Sequence, residues 1–169
     1  MTLAVGDKAP DFTLYSAENE RITLSELTTR KRRAAVVFFY PKDDTPGCTA
    51  EACGFRDLYE EFARAGAEVI GISSDGAESH RRFIGKHKLP MKLLSDPEGR
   101  VRRLYDVRST LGLFPGRVTF VVDADMIVRH AFSSQLRVVR HVDRALAIVR
   151  KLAEDAEGRG SAQARVGPA

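Results

Sequence analysis

The sequence predicts an α/β domain in three layers around a mixed sheet. Three observations carry that prediction. Ala34 to Tyr40 is a continuously apolar, β-rich run ended by Pro41, the pattern of a strand buried on both faces. Helical periodicity then alternates with further short apolar runs, as crossover helices between sheet strands require. Near the end, Val118 to Asp123 and Ile127 to Phe132 flank the acidic turn Asp123-Ala124-Asp125, which predicts a strand pair. A chain of 169 residues is long enough for one domain with a sizeable core, and nothing in it repeats.

The elements follow in order. Phe12 to Tyr15 and Arg21 to Leu24 alternate around Ala17-Glu18-Asn19-Glu20, which predicts an N-terminal hairpin. Ser25 is placed to cap a short helix before the basic run Lys31-Arg32-Arg33. Pro41 to Gly47 is a loop. From Cys48 to Ala65, Ala52, Phe55, Tyr59 and Phe62 recur at three or four residues, and Gly66 ends the run. Val69 to Ser73 is the next strand, and Glu78 to Lys88 is a helix opened by Asp75-Gly76. Met91 to Leu94 is a short strand, and Asp96-Pro97 starts another helix through Tyr105. Val138 to Leu152 is an amphipathic helix with Val142, Leu146, Val149 and Leu152 on one stripe. These elements set a domain at residues 1–152. From Ala153 to Ala169 the chain is small, polar and glycine-rich without periodicity, which predicts a disordered tail.

Composition narrows the function. The 27 basic and 23 acidic residues leave a net charge of only +4, with both signs interleaved. The basic runs at Lys31 and at Arg100 to Arg103 are short, so a solvated surface is expected rather than a nucleic-acid face. No apolar run approaches the roughly 18 residues of a membrane helix. The first ten residues have no basic region followed by an apolar stretch, so a cytoplasmic protein is expected. Thiols are kept reduced there, which disfavours a structural disulfide between the two cysteines. His80, His87 and His130 lack ligand spacing, no His lies near either cysteine in sequence, and no metal site is expected. His141 is expected on the surface of the last helix. Gly112-x-x-x-Gly116 is a loop without phosphate-binding features.

The chemistry lies in Pro41-Lys-Asp-Asp-Thr45-Pro-Gly47-Cys48-Thr-Ala-Glu51-Ala-Cys53, where a buried strand gives way to a helix. Helix N-termini present unpaired N–H groups and a partial positive charge, which favour a thiolate. On an intact helix, residues five apart sit about 140° apart around the axis and roughly 7.5 Å apart along it. A disulfide needs Cα atoms within about 7 Å and converging side chains, so Cys48 and Cys53 can bond only if the first turns unwind. Taken alone, the pair could equally be two small hydrophobes in a helix.

The flanking residues decide between these readings. Pro41-x-x-x-Thr45-x-x-Cys48 resembles the active-site motif of the peroxiredoxins, and DDTPGCTAEACGFRD resembles their peroxiredoxin Q branch, also called bacterioferritin comigratory protein. VGDKAPDFTL, AVVFFYPKDDTPGC and LGLFPGRVTFVVD extend the likeness from about Val5 to Leu152. The resemblance implies a thioredoxin-like fold and a thiol peroxidase that needs no metal or organic cofactor. Cys48 would be the peroxidatic cysteine and Cys53 the resolving one, joined in a transient disulfide that thioredoxin or a similar dithiol recycles. Thr45, Gly47 and Arg117 would bind the peroxide and stabilise its developing charge, Pro41 would shield the thiolate, and Glu51 would orient Arg117. Arg117 is expected to be partly exposed, and Arg108 is the alternative arginine. A resolving cysteine within the chain favours a monomer. A thioredoxin-type reductase on the same fold would instead carry C-x-x-C without the preceding Thr. A redox sensor or holdase using the same switch is the other reading.

Overall fold

The computed structural model describes residues 3–107, 109 and 116–164. Arg108, Gly112 and the first part of the LGLFPGRVTFVVD string lie outside the described residues. Seven described strands form one sheet: β1 (Thr13–Ser16), β2 (Arg21–Thr23), β3 (Ala34–Phe39), β4 (Ala67–Ser73), β5 (Lys92–Ser95), β6 (Val118–Val122) and β7 (Val128–Ser133). Their order is β2-β1-β5-β4-β3-β6-β7. β3, β4 and β5 run parallel at the centre, and the hairpin β1–β2 and the pair β6–β7 add antiparallel edges. The expected mixed sheet and N-terminal hairpin are both present.

The helices are α1 (Pro46–Asp57), α2 (Tyr59–Arg64), α3 (Ala77–His87), α4 (Arg100–Leu104) and α5 (Val138–Ala164). Strand pleating sends alternate residues of β3 to opposite faces of the sheet. Val36, Phe38 and Tyr40 join a core with Phe55, Phe62, Phe83, Val142 and Val149, beneath α1, α2, α3 and α5. Val37 and Phe39 join the opposite core with Leu24, Ile72, Tyr105 and Phe120. Phe38 stacks on Phe55 at 4.6 Å, seating α1 directly on the central strand. Gly71 makes that packing possible, because a Cβ there would meet Phe38 at 2.6 Å and Leu93 at 2.8 Å.

Three local expectations are corrected. Ser25 does not cap a helix: its hydroxyl and N–H bond Asp11 at 2.6 and 3.0 Å, and Glu26–Arg30 forms a single π-helical turn. The helix expected over Cys48 to Ala65 breaks at Leu58, whose φ of −107° and ψ of 11° are not helical. The last helix does not stop at Leu152 but continues to Ala164. Ala153, Glu154, Ala156 and Glu157 are good helix formers and no proline intervenes, so propensity extends a helix that packing has already nucleated. Its side chains from Glu154 to Ala162 are exposed, which is why they carry no apolar stripe.

Candidate active site

β3 ends at Phe39, Tyr40 is buried, and the chain turns through Pro41 to Thr45 into α1. Thr45 occupies the N-cap with an extended backbone, and proline opens the helix at its first position. The Thr49 N–H bonds the Thr45 carbonyl at 2.8 Å and starts the helical ladder. The N–H groups of Gly47 and Cys48 precede that ladder and lie at the positive end of the helix. Cys48, Glu51, Ala52 and Phe55 share the buried face of α1. Cys48 is only 1% exposed, Cys53 is half-buried, and both are free thiols.

Arg117 immediately precedes β6 and is 4% exposed, where partial exposure was expected. β6 pairs with β3, which brings Arg117 alongside the end of the strand that feeds Cys48. One guanidinium nitrogen, Nη2, donates to Cys48 Sγ at 3.3 Å, and Nη1 donates to Glu51 Oε2. Gly47 leaves room for this: a Cβ there would stand 3.0 Å from Arg117 Nη2. Burial alone would weaken the arginine's charge, but Glu51 and Cys48 outweigh it and hold the guanidinium pKa above its ordinary value. Burial drives the Glu51 carboxyl up to about 7 while Arg117 pulls it down. The expected contact of Glu51 with the arginine is therefore present. Glu51 is itself fully buried.

The polar set continues inward. Thr119, two residues along β6, and His141, on α5, are both buried. Thr119 Oγ1 lies 2.8 Å from His141 Nδ1 and 3.4 Å from Glu51 Oε1, and His141 Nε2 lies 2.9 Å from the Ser134 carbonyl. The surface position expected for His141 is thus wrong. The signal was present: His141 directly precedes Val142 and stands four residues before buried Ala145, on the flank of the apolar stripe.

The loop before α1 is pinned from beneath. Asp43 accepts hydrogen bonds from Tyr40 at 2.6 Å and Ser79 at 2.8 Å, and pairs with His80 Nδ1 at 2.7 Å. Burial would raise its carboxyl, but the bonds from His80, Tyr40 and Ser79 prevail and hold it below the ordinary carboxylate range. Thr45 donates its hydroxyl to the Lys42 carbonyl at 2.9 Å, so here its hydrogen is not aimed at the sulfur. Pro41 is half-buried beside Tyr40.

Arg102 was missed within a basic run read as surface. It donates to the carbonyls of Tyr40 at 2.9 Å and Gly116 at 2.7 Å, the residues directly before Pro41 and Arg117. Its position directly after buried Val101 on a short helix was the only hint in the sequence. Among the described residues, no cluster of three or more His, Cys, Asp or Glu side chains is arranged to hold a metal.

The AhpC/TSA family model matches residues 5–131. The chain belongs to this family. It is 45% identical over 148 residues to the chloroplastic peroxiredoxin Q of Sedum lineare, covering 87% of this chain and 78% of that protein. With the rice protein of the same name (Oryza sativa subsp. japonica) identity is 46%, over 87% of this chain and 67% of that one. Among solved structures, peroxidoxin BcpB of Mycobacterium tuberculosis aligns with a TM-score of 0.80 at 39% identity, over 88% and 97% of the two chains. A bacterioferritin comigratory protein of Xanthomonas campestris, studied for its alkyl peroxide reduction activity, aligns with a TM-score of 0.77 at 31% identity, over 89% and 98%. The peroxiredoxin Q likeness and the thioredoxin-like fold read from the sequence therefore hold, and this peroxiredoxin is a thiol peroxidase. No helix among its described residues is long and apolar enough to cross a membrane.

Proposed function

We propose that this peroxiredoxin reduces hydrogen peroxide and organic hydroperoxides at Cys48, and that Cys53 resolves the product. The observation that carries the reading is the buried Arg117 guanidinium donating to Cys48 Sγ at a helix start. The Cys48 thiolate attacks the terminal peroxide oxygen. An S–O bond forms, the O–O bond breaks, and the other oxygen leaves with a proton as water or alcohol. Sulfur is oxidised by two electrons and the peroxide is reduced. Negative charge spreads over sulfur and both oxygens during attack. Arg117 and the N–H groups of Gly47 and Cys48 face that charge without having to reorganise. The Thr45 hydroxyl joins them by turning from Lys42, and Pro41 limits water at the sulfur.

The sulfenic acid on Cys48 then condenses with the Cys53 thiol, forming an S–S bond and releasing water. A dithiol such as thioredoxin restores both thiols by exchange. That chemistry suits a reducing compartment such as the cytoplasm, a peroxide and a dithiol protein as partners, and a monomer, with no part for nucleic acid or membrane. Peroxide consumption with a recycling dithiol tests the proposal, in the parent and in Cys48→Ser and Cys53→Ser. Turnover is expected in the parent and absent in Cys48→Ser, while Cys53→Ser reacts once and stalls as sulfenic acid. Turnover that survives Cys48→Ser would assign the chemistry elsewhere.

A further inference from the structure

Behind the Cys48–Arg117 contact lie buried polar groups that the reaction above does not use. His141 Nε2 faces the Ser134 carbonyl at 2.9 Å, so the neutral ring carries its hydrogen on Nε2 and a lone pair on Nδ1. Nδ1 is 2.8 Å from Thr119 Oγ1, whereas Glu51 Oε1 is 3.4 Å from that oxygen. The shorter contact takes the Thr119 hydrogen. A hydroxyl hydrogen turned toward Glu51 would favour its carboxylate, but a lone pair turned toward it favours the acid, which can donate.

We propose that Thr119 and His141 are positioning residues of the peroxidatic centre: they accept the Glu51 proton into a hydrogen-bonded chain, which leaves the Arg117 charge for Cys48 and the peroxide. The chain holds one proton in two arrangements of equal total charge. In the first, Glu51 donates to Thr119 and Thr119 donates to His141 Nδ1. In the second, the proton has moved to Nδ1, Thr119 donates to the Glu51 carboxylate, and the ring is cationic. The first is the populated one. Burial, helped by Arg117, His130 on β7 and Arg144 on α5, lowers His141 to about 4 against the pull of the Ser134 carbonyl. Burial also raises Glu51 to about 7 against the pull of Arg117 and of a Thr119 hydroxyl turned toward it, so turning that hydroxyl to His141 favours the acid further. His130 is itself lowered by burial and by Arg144. Only Cys48 and Arg117 then carry opposite charges at the reacting sulfur.

The inference rests on the roles given to Cys48 and Arg117, and the experiment separates the two. The rate of peroxide consumption is followed against pH in the parent, Thr119→Val, Thr119→Ser, His141→Leu and Cys48→Ser. Thr119→Val keeps the shape and loses the hydroxyl. Its rate at neutral pH should fall about tenfold, less than the loss of a direct oxyanion donor. The alkaline limb of its profile should move to lower pH, because Glu51 ionises earlier and engages Arg117. His141→Leu should show the same shift, and Thr119→Ser should recover both rate and limb. A parent-like profile in Thr119→Val or His141→Leu overturns the proposal. So does a Thr119→Ser enzyme as slow as Thr119→Val. Parent turnover that survives Cys48→Ser overturns the roles of Cys48 and Arg117, and this inference with them.

Discussion

Arg117 shows how much depends on a single residue's depth. A partly exposed arginine could be removed with little effect on stability, but this one is 4% exposed and pairs with a fully buried carboxyl. Arg117→Ala should lower the peroxide rate by about 10²-fold or more, on the scale of losing one oxyanion donor. It should also destabilise the fold, and increasingly so as pH rises. The folded-state pKa of Glu51 is raised to about 7, above its unfolded value near 4.3. Its contribution to stability is therefore complete below about 4.3 and is lost as pH rises through about 7. Without Arg117 the carboxyl holds its proton longer, and stripping it at alkaline pH leaves a buried charge unpaired, at about 3–5 kcal/mol. Urea midpoints of parent and variant at acid and alkaline pH measure the divergence; equal penalties at both would refute it. Gly47→Ala separates catalysis from stability. Its Cβ would press on Arg117 Nη2 at 3.0 Å, so the rate should drop while the urea midpoint barely moves.

Among the elements, α1 carries both cysteines in one unbroken helix. On the helical geometry given above, the proposed disulfide requires its first turns to unwind. The oxidised protein should show less helix by circular dichroism and faster amide exchange from about Thr45 to Phe55. The loop before it should stay protected, because Asp43 is held by Tyr40, Ser79 and His80. A disulfide that forms while α1 remains protected would contradict this. The place of α1 was legible in the sequence: AAVVFFY followed by Pro41 marks the strand end, and the spacing of Ala52, Phe55 and Phe62 marks the helix. The break at Leu58 was not, because Tyr59 and Phe62 keep the same periodicity across it.

At the scale of the whole molecule, the sequence revealed what is local and apolar and hid what is polar and brought together from distant positions. Cys48, Thr45 and Pro41 are adjacent in the chain, and their motif was visible. Glu51, Thr119 and His141 meet only after β6 pairs with β3 and α5 packs across them, and no spacing in the sequence records a buried hydrogen bond. Residues 153–164 form helix where disorder was expected, because exposed helix has no stripe. We propose that residues beyond Leu152 are dispensable for the domain. Truncation after Ala153 should shift the melting temperature by no more than about 2–4 °C, the effect of roughly 1 kcal/mol, and a larger fall would make the end of α5 part of the core. Glu51 lies on α1 between the two cysteines, so unwinding the helix to join them would also bring its protonated carboxyl out into water, where it ionises. Closing the proposed disulfide would then release a proton beyond those of the two thiols between about pH 4.3 and 7. The midpoint potential should fall by about 30 mV more per pH unit in that window than the thiols alone require. Glu51→Gln should erase the extra slope, making the protein's oxidant strength a readout of one carboxyl that never touches the peroxide.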